Sequence, residues 1–179
     1  MAGAHRGRAA SLEPVDECTV LAATPDDMRD LGRRVARLLR AGDLVVLTGD
    51  LGAGKTTFTQ GLGEGLGVRG QVTSPTFVIA RVHPSTVGGP PLVHVDAYRL
   101  GSIEEVDDLD LDASLAESVT VVEWGEGLVE DLSTDRLEVR LRRPRGDDAD
   151  DPGDGAQPRT LHLAGVGERW KGVALPGSC

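Results

Sequence analysis

"DLVVLTGDLGAGKTTFTQ", residues 43–60, decides the reading of this chain. It opens on a continuous apolar run, the mark of a strand covered on both faces in a parallel sheet. It leads into a segment where Phe58, Leu62 and Leu66 recur at helical spacing, predicting a helix from about Lys55 to Leu66. Between them, Gly49, Gly54, Lys55 and Thr56 fit G-x-x-x-x-G-K-[ST], in the strand-to-helix context that a phosphate-binding loop requires. At this chain's own residue frequencies, about four accidental matches arise per thousand such chains. Only two of its nineteen basic residues are lysines, so placing one here is a chemical choice.

The chemistry explains that choice. Glycines let successive backbone N–H groups turn inward and approach phosphate oxygens without a Cβ in the way. Residues Gly49, Asp50, Leu51, Gly52, Ala53 and Gly54 therefore form a cradle, and the following helix presents its free N–H groups and positive end to the same anion. Lys55 supplies a compact ammonium that reaches between β- and γ-phosphates, a role that a planar guanidinium does not fill. Thr56 offers its hydroxyl to Mg²⁺, and Thr57 is set to reach the α-phosphate. Guanine-specific proteins of this class use an N-K-x-D segment. This chain has no asparagine, so ATP is the expected nucleotide.

Working outward, residues 19–23 read as a short strand. Thr24, Pro25 and Asp27 then mark a helix start, followed by an apolar face of Met28, Leu31, Val35, Leu38 and Leu39, with Gly42 as its stop. Gly61, Gly63 and Gly65 make the helix after the loop intrinsically poor, so packing or ligand must hold it. Further strands are expected at 77–82, 92–96 and 119–123, the first two joined by a Gly/Pro-rich turn and able to pair as a hairpin. "DRLEVRLR" (135–142) and "RTLHLA" (159–164) alternate as an antiparallel pair does. The acidic connector 144–158 is expected to be a mobile loop, and Val166, Trp170 and Val173 to line a short final helix. The fold expected is α/β: a P-loop NTPase with a mostly parallel central sheet flanked by helices and an antiparallel C-terminal strand pair.

Length and composition bound the remainder. A chain of 179 residues is one domain by length, read here as 18–179 after a disordered leader at 1–17. That leader lacks the apolar core of a secretory signal, and no apolar run approaches a membrane span. Cys18 and Cys179 lack metal-type spacing, which points to a reducing cytoplasm. A net charge of −10 repels nucleic acid at long range, so direct tRNA binding is not expected. Residues 101–131 hold eleven Asp and Glu and no Lys or Arg, either a solvated face or a docking surface for a basic partner.

A hydrolytic site also needs carboxylates at neighbouring strand ends. Asp96 ends "LVHVD" and Glu123 ends "VTVVE"; one can hold Mg²⁺ and the other orient or deprotonate the attacking water, and spacing does not decide which. Ser74 and Thr76, in "TSPTF", stand where such proteins keep a γ-phosphate-sensing switch. His94 reads as a core histidine or a catalyst, and Arg99 as a charge stabiliser or a structural pair. Trp124 is a core plug or an aromatic platform near nucleotide or partner.

"GDLGAGKTT" (49–57), "SPTF" (74–77), "HVDAYRL" (94–100) and "VVEWGE" (121–126), in this order, closely resemble the TsaE (YjeE) family over about residues 18–163. That resemblance implies an ATPase acting in threonylcarbamoyladenosine formation in tRNA, binding ATP and Mg²⁺ and docking on a TsaB–TsaD heterodimer. It implies Lys55 and Thr56 as phosphate and Mg²⁺ ligands, Asp96 as the Walker-B-like acid and Glu123 as the acid contacting the metal or its water. It further implies Trp124 as an aromatic important for activity, and Ser74 and Thr76 as the switch-like segment. The N-terminal extension and the 144–158 loop depart from the compact family pattern. Two other functions stay open: a small-molecule kinase, for which the acidic stretch after Asp96 makes a poor lid, and a nucleotide-gated scaffold with negligible turnover.

Overall fold

A computed structural model describes residues 13–50, 52–73, 80–97, 114–123, 132–143 and 158–177. The elements run β1 (Pro14–Ala22), α1 (Pro25–Ala36), β2 (Leu44–Gly49), α2 (Lys55–Leu66), β3 (Ala80–His83), β4 (Leu92–Asp96), β5 (Val119–Glu123), β6 (Arg136–Arg142) and β7 (Arg159–Val166), then a 3-10 turn at Glu168–Trp170. The seven strands form one sheet in the order β1-β7-β6-β2-β5-β4-β3.

The sheet is mixed rather than mostly parallel, which corrects the expectation. β6, β2, β5 and β4 run parallel, whereas β1 with β7, β7 with β6, and β3 with β4 are antiparallel. The parallel centre is where the apolar runs lie: Leu44–Leu47 of β2, Leu92–Val95 of β4 and all of β5 are buried. Such strands need cover on both faces. Two of the antiparallel pairs are those the sequence predicts, β3 with β4 across the 84–91 turn and β6 with β7 from their alternating pattern, whereas the long-range pairing of β1 with β7 is signalled by no local pattern.

α1 and α2 pack on one face of the sheet, in a core with Val45, Leu47, Val121 and Val139. The other face buries Leu44, Val46, Val93, Val95 and Val122 against Leu115 and Leu132. The helices α1 and α2 thus share one face, while the helical residues 114 and 115 bring Leu115 to the other.

α1 begins as its residues dictate. The Asp27 N–H donates to Thr24 Oγ1 at 3.1 Å, and the Thr24 N–H donates to Asp27 Oδ2 at 3.1 Å, a reciprocal cap worth about 1 kcal/mol. α2 is held by close approach. A Cβ on Gly32 of α1 would lie 2.4 Å from the Phe58 carbonyl oxygen, and one on Gly61 of α2 would lie 2.2 Å from that of Arg29. The glycines that weaken α2 as an isolated helix let the two backbones touch.

Three boundaries differ from the sequence reading. β1 starts at Pro14, so residues 14–17 belong to the sheet and not to a leader; Cys18 and Ala22 face the core while Leu21 is exposed. α1 ends at Ala36 although its apolar pattern runs on to Leu39. The expected final helix is a single 3-10 turn that seats Trp170 in the core. Residues 77–79 of the expected third strand, the acidic stretch apart from 114–123, and 144–157 lie outside the described residues. Among the described residues no helix is long and apolar enough to cross a membrane.

Candidate functional site

β2 delivers the glycine loop to the carboxyl edge of the parallel strands, the usual ligand crevice of an open α/β sheet. Gly49 leaves β2 against β6, where a Cβ would meet the Leu141 carbonyl oxygen at 2.8 Å. Gly54 has φ +101, a left-handed geometry that disfavours side chains, immediately before the first residue of α2. The Ala53 N–H donates to the Asp50 carbonyl at 3.0 Å, closing the turn.

Lys55 is buried at the start of α2. Its Nζ donates to the carbonyls of Gly49 at 2.8 Å and Asp50 at 3.1 Å, so the ammonium folds back across the mouth of the loop. Burial pushes its pKa below the ordinary lysine value, while the charges of Glu123, Asp50 and Asp96 oppose that shift. Both strand-end carboxylates therefore act on the lysine. Thr56 and Thr57 occupy the first turn of α2, half-buried.

Asp96 and Glu123 are Cα partners in the parallel register of β4 and β5, and Glu123 also pairs with Leu47 of β2. Glu123 thus stands between the loop-bearing strand and Asp96. It is buried, and its Oε1 lies 3.0 Å from Nε2 of His94, which is fully buried. The sequence reading left His94 as a core histidine or a catalyst. It is a core residue whose polar edge meets a site carboxylate.

Of the expected site residues, Gly49, Asp50, Gly52, Ala53, Gly54, Lys55, Thr56, Thr57, Asp96 and Glu123 lie in the described structure and gather at this edge. Leu51, Ser74, Thr76 and Trp124 lie outside the described residues, as does Arg99. Two residues at the site went unread in the sequence. Arg143 donates to the Gly52 carbonyl at 3.0 Å and Arg159 at 3.5 Å, from the ends of β6 and β7. Their signal was faint: two arginines flanking the acidic connector, meaningful only once that hairpin folds back to the loop. Burial, with the Arg143 charge adding, lowers the pKa of Arg159. A cavity of about 140 Å³ beside the loop is lined by Thr24, Met28, Gly54, Thr57 and Arg159. A wider groove of about 530 Å³ lies on the antiparallel wing, between Glu17, Arg140 and His162, and includes none of the loop or its carboxylates.

These features define a class: α/β proteins with a glycine loop between a central parallel strand and a helix, faced by carboxylates on the adjoining strands. The family model described as "Threonylcarbamoyl adenosine biosynthesis protein TsaE" matches residues 22–149. A Streptomyces coelicolor protein, "tRNA threonylcarbamoyladenosine biosynthesis protein TsaE", is 67% identical over 144 residues, 80% of this chain and 93% of that protein. A Bacillus subtilis protein of the same name is 37% identical over 148 residues, 82% of this chain and 85% of that protein. Among solved structures, the crystal structure of YdiB from Bacillus subtilis superposes with a TM-score of 0.66 at 30% identity, covering 88% of this chain and 90% of that one. The chain belongs to the TsaE family.

Proposed function

We propose that the chain binds Mg-ATP on the 49–57 loop and hydrolyses it in support of threonylcarbamoyladenosine formation in tRNA. The pathway comes from the family and its named relatives. The observation that carries the chemistry is Lys55: a buried ammonium bonded to loop carbonyls, at a helix N-terminus, in the field of two carboxylates.

Charged phosphate oxygens are better acceptors for this ammonium than the neutral loop carbonyls it meets. The N–H groups entering α2 add to that attraction. The Thr56 hydroxyl and the Asp96 and Glu123 carboxylates form a hard oxygen set suited to Mg²⁺. Among the described residues no cluster of three or more His, Cys, Asp or Glu forms a closed metal cage, and Mg²⁺ needs none, because it takes substrate phosphates and water as well. When bound, that ion neutralises charge on the phosphates. One of Asp96 and Glu123 is left to align the attacking water and take its proton.

The family resemblance extends the proposal to a TsaB–TsaD heterodimer as partner. A chain of net charge −10 suits assistance to tRNA modification through proteins rather than by gripping tRNA. The test is reconstitution: the purified chain with Mg-ATP, with and without TsaB–TsaD and tRNA, followed for phosphate release and modified tRNA over many cycles. Release that depends on Lys55 and rises with the partners is expected. Modification over many cycles without phosphate release would leave a scaffold and remove hydrolysis from the reading. Phosphate appearing on a small molecule instead would make the chain a kinase.

A further inference from the structure

His94 is a buried polar residue with no part in the proposed ATPase chemistry. It lies on β4 two residues before Asp96, and strand alternation turns both side chains to the same face, with Val93 and Val95 on the other. Its Cα partner on β5 is Val121, two residues before Glu123 and on Glu123's face of the sheet. The imidazole is 0% exposed, and its Nε2 lies 3.0 Å from Glu123 Oε1; among the described residues Nδ1 meets no partner.

We infer that His94 is a positioning residue: its Nε2–H holds Oε1 of Glu123 and leaves the second carboxylate oxygen for the metal or the attacking water. This rests on the ATPase reading. The bond from Nε2 to Oε1 is what gives the pair direction, because it singles out one of the two carboxylate oxygens. Here the imidazole spends its polar capacity on one oxygen of one carboxylate. A carboxylate accepts but does not donate, so the contact places a hydrogen on Nε2, aimed at Oε1. The ring is rigid and built into the central sheet, so it locks the carboxylate rotamer that a freely rotating glutamate would lose. Outer partners of this kind orient site carboxylates and commonly change activity by about 10- to 100-fold when removed.

The experiment compares His94→Leu, His94→Gln, Glu123→Gln and the His94→Leu/Glu123→Gln double variant with the unaltered full chain. ATP turnover, ATP affinity by calorimetry and melting temperature are read for each. His94→Leu is expected to lower kcat about 10- to 100-fold with ATP affinity within about two-fold. His94→Gln, whose amide N–H can reach the same oxygen, is expected to recover most of the loss, and the double variant to be no slower than Glu123→Gln alone. A second readout does not need turnover: ¹⁵N NMR of the imidazoles at fixed pH should show the Nε2–H tautomer of His94, changed by Glu123→Ala. If the unaltered chain turns over and His94→Leu matches it, or if the two losses multiply in the double variant, the positioning role is overturned alone. A His94 tautomer indifferent to Glu123→Ala also overturns it. An unaltered chain that never turns over, with partners present, overturns the ATPase reading and this role with it.

Discussion

Asp96 and Glu123 sit side by side at the carboxyl ends of two adjacent parallel strands, β4 and β5, and both bear on the same lysine. Two carboxylates so placed repel each other unless a cation lies between or beside them. In this chain Lys55 is that cation, and the competition between loop carbonyls and a bound phosphate for its ammonium sets the first expectation.

Lys55→Ala should abolish Mg-ATP binding measured by calorimetry, and lower any turnover by about 100-fold or more, the scale of losing one preorganised charge contact. Its melting temperature should fall, because the two carboxylates lose the cation beside them and the loop loses two hydrogen bonds, partly offset by the burial cost that disappears with the ammonium. Undiminished binding would move the nucleotide elsewhere.

Glu123→Gln should keep nucleotide affinity yet slow phosphate release by about 10²- to 10⁴-fold, the range of a lost general base. Asp96→Asn should instead raise the Mg²⁺ concentration needed for half-maximal turnover. The opposite pattern would exchange the roles of the two acids.

Gly61→Ala tests the helix contact. Helix propensity alone favours alanine by about 1 kcal/mol. The added Cβ, however, would lie 2.2 Å from the Arg29 carbonyl oxygen, and separating α1 from α2 should cost about 1–3 kcal/mol net in denaturant titrations. Gly70→Ala is the control: φ is +78 but nothing lies within 4 Å, so only backbone strain of about 1 kcal/mol is expected. A Gly61→Ala protein more stable than the original would refute the close approach.

His83 sets a pH response. Burial, with the nearby His94 and Arg81 charges adding, pushes its pKa below the usual 6.5, against a backbone hydrogen bond at Arg69 that raises it. Above pH 6.5 the imidazole is neutral in both folded and unfolded chains and contributes nothing. As pH falls through 6.5 the unfolded chain takes the proton first, so stability is lost progressively toward the folded pKa. The melting temperature should therefore drop on going from pH 7 to 5, and His83→Phe should drop less by roughly a few degrees. Equal slopes would clear His83 of the effect.

Much of the site was legible because its signals are local. Gly49 to Thr56 form a contiguous pattern whose strand and helix flanks can be read from apolar spacing, and the β4 and β5 boundaries fall where the β-branched runs end in acids. The Thr24–Asp27 cap is likewise local, spanning four residues. His94 stayed ambiguous because the partner that gives it meaning is 29 residues away. Arg143 and Arg159 went unread because each is an ordinary arginine until the β6–β7 hairpin brings it to Gly52.

By itself, then, the sequence determined the phosphate-loop pattern, the carboxylates at the strand ends and the parallel centre, since each depends on periodicity or on spacing within one segment. The tertiary structure alone decided that β1 pairs with β7, that β1 begins at Pro14 on the far edge of the sheet, and that glycines which weaken α2 serve its contact with α1. Those outcomes depend on backbone hydrogen bonds and van der Waals contacts between segments far apart in the chain, where residue type sets what is permitted and register sets what occurs.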